Sequence, residues 1–587
     1  MNTRLLRSLT RLGGALVLVV TAVFALRPTV RATHRAHLSF DLLTHEASLS
    51  TTRKRVILTG DPMQIADVAA RHQLQIVRLL ANGAVLSASS TELTDLAADV
   101  DVPSVSGDVP VHTWMSVSNS ASAADQVRAG SSGLLGIGGM AGVNGQGVGV
   151  AVIDSGVNPH PALKNRIVAN VSLVTGDSSY LDAFGHGTHV AGIIAGSGSA
   201  AAGITPLYNG GIAPGANIIN VRVLGADGSG LTSDVIAGID WSIANRSTYN
   251  IRILNLSLGH HVTEPAALDP LDQAVARAVQ AGLIVVAAAG NEGLAADGSP
   301  VMGGIMVPGN SPLAITVGAV NTWGTVARGD DTIATYSSRG PTQYDLAVKP
   351  DLAAPGNKIV SLEAQNSYLS RNYSYLHVAG TPSNGYFKLS GTSMATPMVS
   401  GAAALLLQGN PGLSGAQMKL ALQMGASYMP SAGLMGAGAG NANFWASRKM
   451  ASSGLLSTVT NLIGGLTTTS SGAAFWDEGT LTNRVYGGIG MRLLSLLQLP
   501  AVWLNPSQLN VGDLNLAGLN NPLALTPKNP LLWGDVAKWA NAQEGDQIIW
   551  GSQIYNPSGQ QIIWGSTDTT DDEQIIWGSA MVSPDAH

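Results

Sequence analysis

Between residues 54 and 113 short apolar runs alternate with stretches of helical period. Val56, Ile57 and Leu58 form one strand-like run, Ile76 to Leu80 and Ala84 to Leu86 two more, and a Val-rich run lies between Val102 and Val111. Pro62 to His72 and Thr91 to Ala98 space their apolar residues as half-buried helices do. The pattern predicts a small α+β unit. From Ser116 to Gly130 the chain turns Ser- and Ala-rich with little period, which reads as an exposed linker.

From residue 131 to about 450 the runs lengthen. Val148 to Ile153, Ile218 to Leu224, Ile253 to Leu258, Leu283 to Ala288 and Ala314 to Ala319 read as strands, several apolar on both faces, as strands of a parallel sheet covered on both sides are. Leu231 to Ala244 and Leu268 to Ala281 read as amphipathic helices between them. Alternating strands and helices predict an α/β fold with a doubly wound, mainly parallel sheet, and such sheets bind ligands at the carboxyl ends of their strands. Beyond residue 450 no steady period remains, and the hexapeptide QIIWGS recurs at Gln547, Gln561 and Gln574. Stacked strands, a recognition tail and an unstructured extension all fit such repeats.

Composition narrows the function classes. Charged residues are 12% of the chain, against roughly 25% in an average soluble domain, and 45% are hydrophobic, so the chain is rich in core. A net charge of -6 supplies no polycationic face for nucleic acid. The absence of cysteine removes disulfides, thiolate nucleophiles and Cys-type zinc sites together. At the start, Arg4, Arg7 and Arg11 precede an apolar run from Leu12 to Leu26, with small residues at Val23 and Ala25. That layout predicts a signal peptide of residues 1–25, and the run falls short of the ~20 residues of a membrane-spanning helix. The expected product is exported, extracellular or periplasmic, with no stable membrane span once the signal is cut.

Four segments carry residues suited to chemistry. VAVIDSG ends a buried strand on Asp154; alone, an Asp there is as often a turn or cap residue. FGHGTHVAG starts a helix near His186, with His189 one turn on. Two such histidines suit a metal, but the Glu of the zinc-protease pattern H-E-x-x-H is missing, which favours a general base. LSGTSMATPMVSGAAALLL sets Ser393 at the mouth of an apolar helix with Pro397 in its first turn, where backbone N–H groups favour developing negative charge. VVAAAGNEG presents Asn291 on a Gly-flanked turn.

Together, and in this order, the motifs resemble the active-site signatures of subtilisin-like serine proteases (subtilases, peptidase family S8) over roughly residues 120 to 450. The resemblance implies Ser393 as nucleophile, His186 as its base, Asp154 as the group orienting the imidazole, and Asn291 as oxyanion donor. It further implies that Gly228, Ser229, Gly230 and Ser257, Leu258, Gly259 bind extended peptide as an added strand. Ala288, Ala289 and Gly290, with Met306, would wall the pocket for the residue before the scissile bond. Met306 there suggests small or medium apolar side chains. The 54–113 unit resembles the family's ferredoxin-like inhibitory propeptide, which implies a zymogen that cuts itself within roughly residues 108 to 121, in a linker spanning 114–130. The catalytic domain would span 131–450 and the extension 451–587.

The partners implied are protein or peptide substrates and the chain's own propeptide as inhibitor. No cofactor is required for the chemistry. The segment after the His helix, GSGSAAAGITPLYNGG, lacks the Asp/Asn-rich look of the family's strongest calcium loop, so no metal residues are assigned, while structural calcium elsewhere stays open. Two other readings compete: a catalytically silent scaffold carrying the Trp repeats, against which the intact constellation counts, and another serine hydrolase, for which no G-x-S-x-G elbow surrounds Ser393.

Overall fold

The computed structural model describes residues 35–452, apart from 48–49, 109, 114–118, 133–138, 295–299 and 327, together with a few short strands beyond residue 473. The expected signal peptide at 1–25, residues 114–118 of the expected linker at 114–130 and most of the repeat tail lie outside the described residues. Two of the repeats contribute the parallel strand pair Ile548–Trp550 and Ile575–Trp577.

The first unit is a five-stranded sheet. Strands Lys54–Thr59, Gln75–Leu80, Gly83–Ala88 and Ser104–Gly107 carry helices Pro62–Arg71 and Ser90–Ala97, with the outer two of these strands in sequence adjacent in the sheet. Local chemistry sets the helix starts. Asp61 caps the first and Pro62 opens it; Ser89 and Glu92 form a reciprocal capping box on the second. The unit begins earlier than residue 54. A parallel strand, His37–Leu38, joins Ser104 and Val105, and helix Phe40–Ala47 buries Leu42 in the same core. The Val-rich run is also two strands, Ser104–Gly107 and Pro110–Thr113, and the second leaves the unit altogether.

The stretch read as linker is partly core. Helix Ala124–Ala129 buries Ala124 and Val127 completely, and Asn119, Ala121 and Ser122 are buried beside it. Its apolar residues are mostly alanines, too small to mark a helical period in the sequence, yet they fit a close approach to the helices of the larger unit.

That larger unit is doubly wound, as the alternation predicts. Parallel strands run in the order Ile167–Ser172, Asn217–Arg222, Gly149–Asp154, Ile251–Leu256, Ile284–Ala288, Ile315–Asn321, with Leu352–Pro355 also parallel to the last and Thr332–Ile333 antiparallel to it. Successive residues of one strand serve two cores. Val150 and Val152 pack with helices His186–Ala195 and Thr392–Gly409, while Ala151 and Ile153 pack with helices Thr232–Asn245 and Pro270–Gln280. Chain order reverses at Gly149–Asp154, the first strand of this sheet in sequence, so its carboxyl end, Asp154, stands at the crevice such folds use for ligands.

Candidate active site

Strands Gly149–Asp154 and Ile251–Leu256 are neighbours, so Asp154 at the end of one and Ser257 just past the end of the other stand side by side. Each holds the N-terminal turn of a helix. His186, the first residue of its helix, donates from Nδ1 to Asp154 Oδ1 at 2.6 Å; that same oxygen takes the Ser155 N–H at 2.7 Å. Ser393, second in helix Thr392–Gly409, donates its hydroxyl to the Ser257 carbonyl at 3.1 Å. The two helices pack against each other. Asp154, His186 and Ser393 are fully buried. A carboxylate fixed to Nδ1 leaves Nε2 as the basic nitrogen of the imidazole, which is what a base for a serine hydroxyl needs.

Asn291 is held by one end of its amide. Oδ1 accepts from the Thr392 N–H at 2.9 Å and its hydroxyl at 3.0 Å, and Nδ2 is buried with no hydrogen-bond partner. A buried amide donor is costly to leave bare, so it marks a place where an acceptor is expected. Beside the start of the Ser393 helix, that acceptor can be the oxyanion of a tetrahedral intermediate.

The cleft edges follow. Gly230–Leu231 and Leu258–Gly259 both pair antiparallel with Pro110–Thr113, which lies between them as the middle strand; Gly230 faces Val111, Gly259 faces His112 and Leu258 faces Thr113. Gly228 and Ser229 are not in this ladder. They form the turn before it, with the Ser229 carbonyl taking the Gly225 N–H and the Ser229 N–H bonding Asp227. Ala288, Ala289 and Gly290 are buried at the end of strand Ile284–Ala288. Gly290 has φ +104°, and a Cβ there would meet Met306 Cγ at 2.6 Å, so Met306 packs directly against this wall. Residues 145–458 match the subtilase family, more than half of the chain.

The chain belongs to the subtilase family of serine endopeptidases. It is 41% identical over 307 residues to the serine protease AprX of Bacillus subtilis, a match covering 51% of this chain and 66% of that protein. It is 36% identical over 301 residues to subtilisin Savinase of Lederbergia lenta, covering 51% and 91%. With the thermostable alkaline protease of Halalkalibacterium halodurans it shares 30% identity over 400 residues, covering 68% and 93%.

Within this subtilase frame the structure adds supports that motif reading missed. Asp182 caps the His186 helix, whose N-cap Gly185 has no side chain to do so. Its oxygens accept the N–H groups of Gly185 at 2.6 Å and Thr188 at 2.8 Å, and the hydroxyls of Ser155 and Thr188. Burial pushes its carboxyl up from the usual range, and those donors hold it down. Its place four residues before His186 was the available signal. Thr392 is the other, joining Asn291 to the helix that carries Ser393. His189 has a structural part: fully buried, its Nε2 donates to the Phe387 carbonyl at 3.1 Å, and burial pushes the ring down to about 3.

Pro397 lies well inside its helix, not in the first turn. Its missing N–H would have bonded the Ser393 carbonyl, which takes the Ser257 hydroxyl instead, at 2.7 Å. Residues 196–211 bring no carboxylate, and the carbonyls of Gly210 and Gly211 are taken by Asn119 Nδ2 and the Arg128 guanidinium. Among the described residues no helix is long and apolar enough to cross a membrane.

Proposed function

We propose that this chain is an exported serine endopeptidase of broad specificity, made as a precursor whose N-terminal unit fills the substrate cleft until the chain cuts itself. The observation that carries the reading is the strand Pro110–Thr113 between Gly230–Leu231 and Leu258–Gly259. An extended peptide enters this site by main-chain pairing on both sides, which reads little side-chain identity. The ladder ends with Thr113 opposite Leu258, next to Ser257, whose carbonyl holds the Ser393 hydroxyl. The bond that follows the strand is then the one presented to the nucleophile.

In that frame Ser393 Oγ attacks the scissile carbonyl as His186 Nε2 takes its proton. Asp154 stabilises the imidazolium, and Asn291 Nδ2 with the Ser393 N–H receives the oxyanion. The imidazolium then protonates the leaving amine. Water, deprotonated by the same nitrogen, releases the acyl group and restores the hydroxyl.

The inhibitory part of the reading has its own support. Helix Thr232–Asn245 has no side-chain cap of its own, and Asp108 of the N-terminal unit supplies one: its oxygens accept the Ser233 N–H and hydroxyl, each at 2.8 Å. Arg55 braces that carboxylate at 2.7 Å and also reaches the Ser233 hydroxyl at 3.0 Å. Arg78 pairs with Asp234 on the same helix. Casein or a tetrapeptide amide, hydrolysed by the mature chain and protected by a serine-directed inhibitor, tests the activity. A matured chain that folds but cleaves neither sinks it.

A further inference from the structure

The Ser393 carbonyl is the one helical acceptor that Pro397 leaves without an N–H, and it is buried. A short relay meets it. Ser400 Oγ donates to Asn255 Oδ1 at 2.8 Å, Asn255 Nδ2 donates to Ser257 Oγ at 2.9 Å, and Ser257 Oγ donates to the Ser393 carbonyl at 2.7 Å. All three side chains are fully buried. Because the Asn255 amide already donates to the Ser257 oxygen, the single proton of that hydroxyl is left pointing at Ser393. Residue 257 therefore grips the nucleophile twice, with its hydroxyl on the Ser393 backbone and its carbonyl on the Ser393 hydroxyl.

We propose that the Ser257 side chain is a positioning group for the nucleophile, standing in for the helical N–H that Pro397 lacks. The proline ring crowds the carbonyl four residues back and makes it tilt off the helix axis. Ser257 fixes where it goes. That carbonyl carbon is bonded to the Ser393 Cα, so holding it steadies the Cα from which Oγ and the Ser393 N–H extend. The frame behind Ser257 is rigid: Asn255 lies in the central strand Ile251–Leu256, and Ser400 lies two turns along the nucleophile's own helix. Strand and helix are thus tied at the point where the reaction needs them in register. The inference rests on Ser393 being the nucleophile.

The test uses the full chain, matured by its own processing, with a chromogenic tetrapeptide substrate. Ser257→Ala is expected to lower kcat by about 10- to 100-fold, the cost of a small misplacement of a reacting group. KM should stay within about twofold, because the main-chain edge at Leu258 and Gly259 is untouched. Pro397→Ala returns an N–H to the helix. In that background, replacing Ser257 by Ala should cost only a few-fold, because the helix then supplies the bond itself. Where a variant matures too slowly to be purified, the rate of its own processing, followed by intact mass, reads the same comparison. Equal losses with and without the Pro397→Ala change overturn the proposal, as does a rise in KM with kcat unchanged, or no loss at all. Ser393→Ala separates the two readings: if it stays active the site assignment falls, and if it is inactive while Ser257→Ala is unaffected, only the positioning role falls.

Discussion

At the scale of single residues, the site can fix one end of a polar side chain and leave the other end open. Asn291 shows this most clearly, with Oδ1 doubly occupied by Thr392 and Nδ2 bare in a buried position. Asn291→Ala should lower kcat with little change in KM. In subtilisin itself a donor of this kind is worth about 10²- to 10³-fold, and that magnitude is carried over here. Initial rates on a peptide amide over a range of concentrations check it. Met306 packs on Gly290, in the segments proposed to wall the pocket before the scissile bond. Cleavage is expected after small or medium apolar residues, and Met306→Gly should shift a peptide-library profile toward Phe and Tyr. A library cleaved mainly after Phe or Tyr, and unchanged by Met306→Gly, contradicts this account of the pocket.

At the scale of elements, what the sequence made legible followed from strong periodicity. The buried strand ending on Asp154, the helices after Thr232 and Pro270, and the glycine-flanked turn at Asn291 carry their pattern in large apolar residues or unmistakable punctuation. What it hid depended on contacts with distant parts of the chain. Helix Ala124–Ala129 reads as linker because alanine marks no face until a partner covers it. Strand His37–Leu38 is two residues long, too short for any period, and exists because Ser104–Gly107 offers an edge. Pro397 reads as a first-turn proline because the partner of the carbonyl it frees, Ser257, is 136 residues away. The cap supplied by Asp108 to helix Thr232–Asn245 is equally non-local, and it yields a prediction. Asp108→Ala removes an N-cap worth about 0.5 to 2 kcal/mol, so the cut precursor unit should leave the cleft about 2- to 30-fold faster. The interval between the mass change of processing and the rise of activity measures this, and an unchanged interval contradicts it.

At the scale of the whole molecule, two buried histidines couple stability to acid. His160 accepts the Ala162 N–H on Nδ1 and meets the Gly385 carbonyl through Nε2, so its neutral form is built in; burial pushes it from 6.5 down to about 4. His189 is pushed down to about 3 by its burial. The unfolded chain takes up these protons near pH 6.5, whereas the folded chain resists until well below. Stability is therefore lost as pH falls from about 6.5 toward 4, by at most about 1.4 kcal/mol per pH unit for each ring. Urea midpoints of the Ser393→Ala precursor at about pH 7 and pH 4.5 should differ more than those of the same precursor carrying His160→Gln. Equal differences would remove His160 from the account.

The central claim concerns the whole chain as well: the N-terminal unit is a substrate held in its own enzyme's cleft, and Ser393 cuts it free. Intact mass of the wild type and of Ser393→Ala, expressed in one host with host proteases inhibited, tests this most directly. The account predicts that the wild type loses everything up to the residues just after Thr113, while Ser393→Ala keeps the unit, since loss of one triad member typically slows the reaction by ~10⁴- to 10⁶-fold. Equal trimming near residue 115 in both samples would contradict it and leave residues 35–113 an ordinary domain removed by another protease.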